Sequence, residues 1–121
     1  MATIKEGLDA LMDLDGIIAC CAVDSESGMM LAAAGDTSKV NLETAAAGNT
    51  EVVRSKRKTI KALGLNEDIE DILITLGKQF HIIRPLTTNQ ALFIYVVLDK
   101  SRGNLAMARL KLAAVEKDVT F

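Results

Sequence analysis

Few residues in this sequence have types and spacings that could do chemistry. They are one histidine, His81; two adjacent cysteines, Cys20 and Cys21; the basic run Arg54-Ser55-Lys56-Arg57-Lys58; and the acidic run Asn66-Glu67-Asp68-Ile69-Glu70-Asp71. His81 falls within a predicted strand, and a metal site there would need cysteine or carboxylate partners at ligand spacing, which the sequence does not show. Adjacent residues on a strand point to opposite faces, so Cys20 and Cys21 do not suggest a disulfide framework. They read as small buried hydrophobes in a reducing compartment, with a vicinal redox switch as the functional alternative. There is no glycine-rich phosphate loop, no nucleophile elbow around a serine and no paired-histidine motif. No enzymatic activity, cofactor or metal is expected.

The charged runs read as binding features at most. On a helix at about 100° per residue the basic run is spread around most of the circumference, as a solvated face would be. Docking of an acidic partner by Arg54, Arg57 and Lys58 is the functional alternative. The acidic run is equally a solvated loop, or a surface that meets the basic helix of another protomer.

The 121 residues suit one domain spanning 1–121, with half of them hydrophobic and a quarter charged. Aromatic content of 3% means a core of Leu, Ile, Val, Ala and Met, with little material for stacking bases. With a net charge of −2 as well, nucleic-acid binding is not expected. No apolar run approaches the roughly 20 residues that span a bilayer, and no signal-peptide core precedes the first helical pattern, so a cytoplasmic protein without membrane insertion is expected.

The elements that would position these residues follow from periodicity. Ile4, Leu8, Leu11 and Met12 predict a short helix ended by Gly16. Ile17 to Val23 is apolar at every position and predicts a strand covered on both faces; Asp24 to Gly28 is turn chemistry, returning Met29 to Ala33 as its antiparallel neighbour. A long helix is predicted from Leu42 to Leu63, capped by Asn41 or Ser38 and stopped by Gly64-Leu65. Its stripe of Leu42, Ala45, Ala46, Val52, Val53, Ile60 and Leu63 should face a sheet. Ile69 to Leu76 and Gln79 to Arg84 predict a hairpin turned at Gly77-Lys78, Ala91 to Leu98 a second doubly covered strand, and Asn104 the cap of a last helix. The order α-β-β-α-β-β-β-α, with short turns, predicts a three-layer α/β (α+β) arrangement of antiparallel strands.

This order resembles the roadblock/dynein light chain 7 family, particularly its stand-alone prokaryotic type. The resemblance covers nearly the whole chain and rests on Gly16-Ile17-Ile18, the Asp24 to Gly28 turn, the Ala-rich central helix, Ile83-Arg84-Pro85-Leu86, and Asn104-Leu105-Ala106-Met107-Ala108-Arg109. It implies a profilin-like fold: a five-stranded antiparallel sheet with the long helix on one face and the terminal helices on the other. It also implies a homodimer, or a pair with a paralogous roadblock protein, in which long helices and third strands meet. On that reading Asn49, Val52, Val53, Lys56, Ile60, Ile72, Leu73 and Ile74 form the interface. Asn49 and Lys56 interrupt the apolar stripe, where a buried polar group needs a partner; pairing across a two-fold axis would supply one, as would a nearby loop for Asn49 and solvent for Lys56. The function the resemblance implies is non-catalytic regulation of a small Ras-like GTPase. The alternative is a ligand-sensing module with a small molecule held between sheet and helix.

Overall fold

The computed structural model describes residues 2–119. Its elements are α1 (Ile4–Leu11), β1 (Ile17–Asp24), β2 (Met29–Gly35), α2 (Leu42–Ala62), β3 (Ile72–Thr75), β4 (Gln79–Pro85), β5 (Leu92–Asp99) and α3 (Leu105–Asp118). All strand pairings are antiparallel, and the sheet order is β2-β1-β5-β4-β3. The predicted order and architecture are those observed.

The two continuous apolar runs are the central strands, and their alternation supplies both cores. Ala19, Cys21 and Val23 of β1 and Phe93, Tyr95 and Val97 of β5 face α2. Cys20 and Ala22, with Ile94, Val96 and Leu98, face α1 and α3. Every second residue of these strands would be exposed if either helical layer were missing.

Helix ends are set by side chains that satisfy otherwise unpaired backbone groups. Asn41 accepts from Thr44 N at 3.0 Å, and Asn104 from Met107 N at 3.0 Å. A capping box at α1 pairs Thr3 with Glu6 reciprocally. At the end of α2, Leu65 N donates to Ile60 O and Gly64 N to Lys61 O, with Gly64 at φ +74°, completing the Schellman geometry. Gly16, at φ +90°, lies so close to Gly103 that an added Cβ would stand 2.5 Å from its Cα. The turn after α1 therefore seats directly on the loop before α3.

Two elements differ from their sequence-based expectations. The third strand was expected from Ile69, but pairing begins at Ile72. Asp71 is drawn instead to Arg109 of α3 in a bidentate pair at 2.9 and 3.1 Å, and residues 65–71 form no regular structure. The stripe of α2 is also rotated. Leu42, Ala46, Thr50 and Val53 are buried, while Val52 is 38% and Leu63 65% exposed. α2 packs chiefly over β1 and β2, so the flank carrying Val52, Lys56 and Leu63 overhangs the side of the sheet that leads to β3.

Candidate interaction face

β3 is the last strand of the sheet: it pairs with β4 and has no partner on its outer edge among the described residues. Unpaired N–H and C=O groups along such an edge are a template for another strand. Next to it, Val52 and Lys56 of α2 and Ile72 of β3 line a mostly apolar groove of about 420 Å³ with Ile69, Glu70 and Asp71. Ile72 and Ile74 point to the α2 side of the sheet, each half-buried.

Behind this groove lies a polar cluster. Ile74 pairs with His81 across the β3–β4 ladder, and Ile83 with Tyr95 across β4–β5. His81 and Tyr95 are thus diagonal neighbours on one face. His81 Nε2 lies 2.9 Å from Gln79 Oε1, and Nδ1 lies 3.0 Å from the Tyr95 hydroxyl. With the Gln79 oxygen accepting from Nε2–H, Nδ1 is left as the acceptor of the Tyr95 O–H, which assigns the neutral Nε2–H tautomer. Burial holds the His81 pKa below its ordinary value and pushes the Tyr95 phenol up to about 12; the Asn49 amide beside that hydroxyl acts in the opposite direction. Asn49 Nδ2 is itself buried, and the Tyr95 hydroxyl is the polar group beside it.

The structure therefore divides the eight residues read as an interface. Val52, Lys56, Ile72 and Ile74 share the α2 side of the sheet near the β3 margin, while Asn49 lies beside the Tyr95 hydroxyl of the central strand β5. Val53 does not join them, because it is fully enclosed between α2 and the sheet. Leu73 points to the opposite face, as strand alternation requires, and packs with the α1 and α3 layer. Ile60 turns to another flank of α2, lining a groove of about 630 Å³ with Arg57, Lys61, Glu26 and Gln90.

The basic residues are also sorted. Arg57 is half-buried and donates to Gln90 O at 2.6 Å and Gln90 Oε1 at 3.3 Å; Arg54 donates to Glu26 O and pairs with Glu51 at 3.6 Å. Both fasten α2 to loops at one end of the sheet, while Lys58 is exposed. The space between α2 and the sheet is filled by Val23, Val53, Phe93 and Tyr95.

Cys20 and Cys21 are fully buried on opposite faces of β1, and burial raises both thiols to about 12. Among the described residues, no three His, Cys, Asp or Glu side chains stand together as metal ligands, and no helix is long and apolar enough to cross a membrane.

The His81–Tyr95 pair was missed in the sequence, although a signal existed. A tyrosine in the middle of a doubly covered strand needs a partner for its hydroxyl, and the chain has one histidine to offer. The Arg109–Asp71 and Arg84–Glu116 pairs left no comparable trace, since each joins residues more than thirty positions apart.

A central antiparallel sheet between one long helix and a pair of terminal helices, with β2 and β3 as its two edge strands, places the chain in a known architectural class. Myxococcus xanthus MglB matches it with a TM-score of 0.81 at 18% identity, covering 95% of this chain and 89% of that one. A Roadblock/LC7 domain from Streptomyces avermitilis matches at 0.81 and 13% identity, covering 97% and 94%. An MglB described with a tetrameric arrangement matches at 0.80 and 14% identity, covering 94% and 82%. No protein-family model matches the sequence, and no curated protein does. The chain has the roadblock/LC7 fold.

Proposed function

We propose that this chain is a non-catalytic, cytoplasmic scaffold that pairs with a second copy, or with a paralogous roadblock protein, and in that form regulates a small Ras-like GTPase. The observation that carries the pairing is the unpaired outer edge of β3 beside the apolar groove of Val52, Lys56 and Ile72, with Ile74 half-buried on the same side. Antiparallel pairing of β3 with its symmetry mate would satisfy the edge, cover the half-buried isoleucines and bring two α2 flanks together. A fold neighbour described with a tetrameric arrangement supports self-association.

The GTPase rests on the sequence resemblance, whose stand-alone prokaryotic members regulate such proteins. A dimer of this kind acts by binding one nucleotide state of the GTPase more tightly than the other, which shifts its switch loops without a catalytic residue from the scaffold. Lys58, with Arg54 and Arg57 beside it, is the docking flank we assign.

Two measurements test the two halves separately. Light scattering of the purified chain should give the mass of a dimer, and Val52→Glu with Ile74→Glu should give a folded single chain. A single-chain mass for the unaltered protein would refute the pairing. Retention of a small GTPase from lysate should differ between GTP and GDP, and recovery of none would refute the partner while leaving the pairing intact.

A further inference from the structure

β2 and β3 are the two margins of the sheet, and by composition β2 is the greater hazard. Residues 28–35 read Gly-Met-Met-Leu-Ala-Ala-Ala-Gly, without a charge or a proline, and Met29 and Leu31 are 67% and 51% exposed. An edge of that kind invites strand addition by another chain. The ladder shows which backbone groups face outward. Asp36 N donates to Ile18 O, and Cys20 stands opposite Ala34 and Ala22 opposite Ala32. Bonded pairs alternate along an antiparallel ladder, so the N–H and C=O of Ala33 point away from β1.

Two features close this margin. Leu31 has no opposite residue on β1, because the register shifts between Ala22 and Val23, and this bulge interrupts the line an added strand would follow. Beyond it, Lys5 of α1 donates from Nζ to Ala33 O at 2.6 Å. Asp9, one turn further along α1, holds the same ammonium at 3.0 Å. Lys5 lies in the first turn of the helix, where the helix dipole disfavours a cation, so α1 by itself gives no reason for a charge there. Among the described residues no side chain makes a comparable bond to the backbone of β3 between Ile72 and Thr75.

We infer that Lys5 guards the β2 edge, holding the outward carbonyl of Ala33 that β2 of a second copy would otherwise bond. Strand addition there has to pull the ammonium off both Ala33 O and Asp9 or bury it against the incoming backbone. Antiparallel addition of a second β2 centred on Ala33 would also bring two Lys5 ammoniums together, and like charges opposed across a ladder are destabilising. The guard decides how assembly ends. A chain with two free edges propagates without closing, β3 to β3 and β2 to β2. With β2 shut, the β3 pairing proposed above stops at two chains, and that consequence alone rests on the pairing. The guard itself stands on the other margin of the sheet and does not depend on it.

Lys5→Ala removes the donor and the charge, keeps a good helix former and adds no large apolar side chain. Sedimentation velocity over a concentration series compares it with its parent in two backgrounds, the unaltered chain and the chain carrying Val52→Glu with Ile74→Glu. Lys5→Ala should raise the weight-average mass at least about twofold over the parent at the highest concentration, and Lys5→Arg should sediment as the parent. The Ala33 amide should gain protection from hydrogen exchange in the associated form, because it points outward and only an added strand can bond it. Leu31→Lys combined with Lys5→Ala should return the parental mass by restoring a charge to the same edge. Lys5→Ala that sediments as its parent would overturn the proposal, as would association that leaves the Ala33 amide unprotected or that Leu31→Lys does not reverse. Failure of the β3 pairing shows separately, as a single-chain mass for the unaltered protein.

Discussion

The Tyr95 hydroxyl donates to Nδ1 of His81 at 3.0 Å, and the two rings meet edge to face with centroids 5.4 Å apart. Each is the only residue of its type in the chain, so one tyrosine signal and one histidine signal report directly on this contact.

The His81 imidazole should titrate below its ordinary value of 6.5, because burial disfavours the charged ring. The unfolded chain then binds the proton first as pH falls. The stability contributed by neutral His81 is therefore fully present above pH 6.5, declines below it, and has been lost once pH passes through the folded pKa. Proton NMR of the imidazole gives the folded value directly. Denaturant midpoints across the same window should slope for the native chain and flatten for His81→Gln.

Tyr95 should remain protonated in the folded protein until pH approaches about 12. Near-ultraviolet absorbance during an alkaline titration should show no phenolate until that range, or until the protein unfolds earlier. Tyr95→Phe should destabilise the fold by about 1 to 2 kcal/mol, since it leaves the buried Nδ1 of His81 without its donor. Ionisation near pH 10 in a folded sample would show that the hydroxyl is solvated.

Glu116 holds Arg84 and the Thr87 amide together beneath α3. Glu116→Gln should cost about 3 kcal/mol, because the largely buried Arg84 guanidinium loses its counter-charge. Glu116→Leu combined with Arg84→Met should recover much of that loss. Thermal melts of the three variants measure both effects, and a neutral Glu116→Gln would mean that solvent already compensates Arg84.

Neither cysteine should react with a thiol reagent in the native state. Both side chains are buried, and thiols raised to about 12 carry almost no thiolate at neutral pH. Both should label together on unfolding in denaturant. Rapid labelling of one under native conditions would reopen a redox role for the pair.

The element order was legible because it depends on short-range patterns. Two uninterrupted apolar runs, Ile17 to Val23 and Ala91 to Leu98, could be satisfied only by strands covered on both faces, and Asn41, Gly64 and Asn104 marked helix ends by local backbone chemistry. The candidate interaction face was legible only in part. The wheel of α2 placed Val52 and Val53 in one stripe, but where the sheet lies beneath the helix decides that Val53 is enclosed and Val52 exposed. Strand alternation by itself sends Leu73 to the face opposite Ile72 and Ile74, and it packs there with the α1 and α3 layer.

By itself, then, the sequence determined the elements, their antiparallel order and the three-layer arrangement, since these follow from which residues must leave water and from turns closed within a few positions. Only the tertiary structure decided which strand lies at the margin, how far α2 is rotated over the sheet, that Asp71 leaves its strand for Arg109, and that His81 meets Tyr95. The reason is one of range. Periodicity records which side of an element avoids water, whereas pairings between residues tens of positions apart exist only once the sheet register has brought them together.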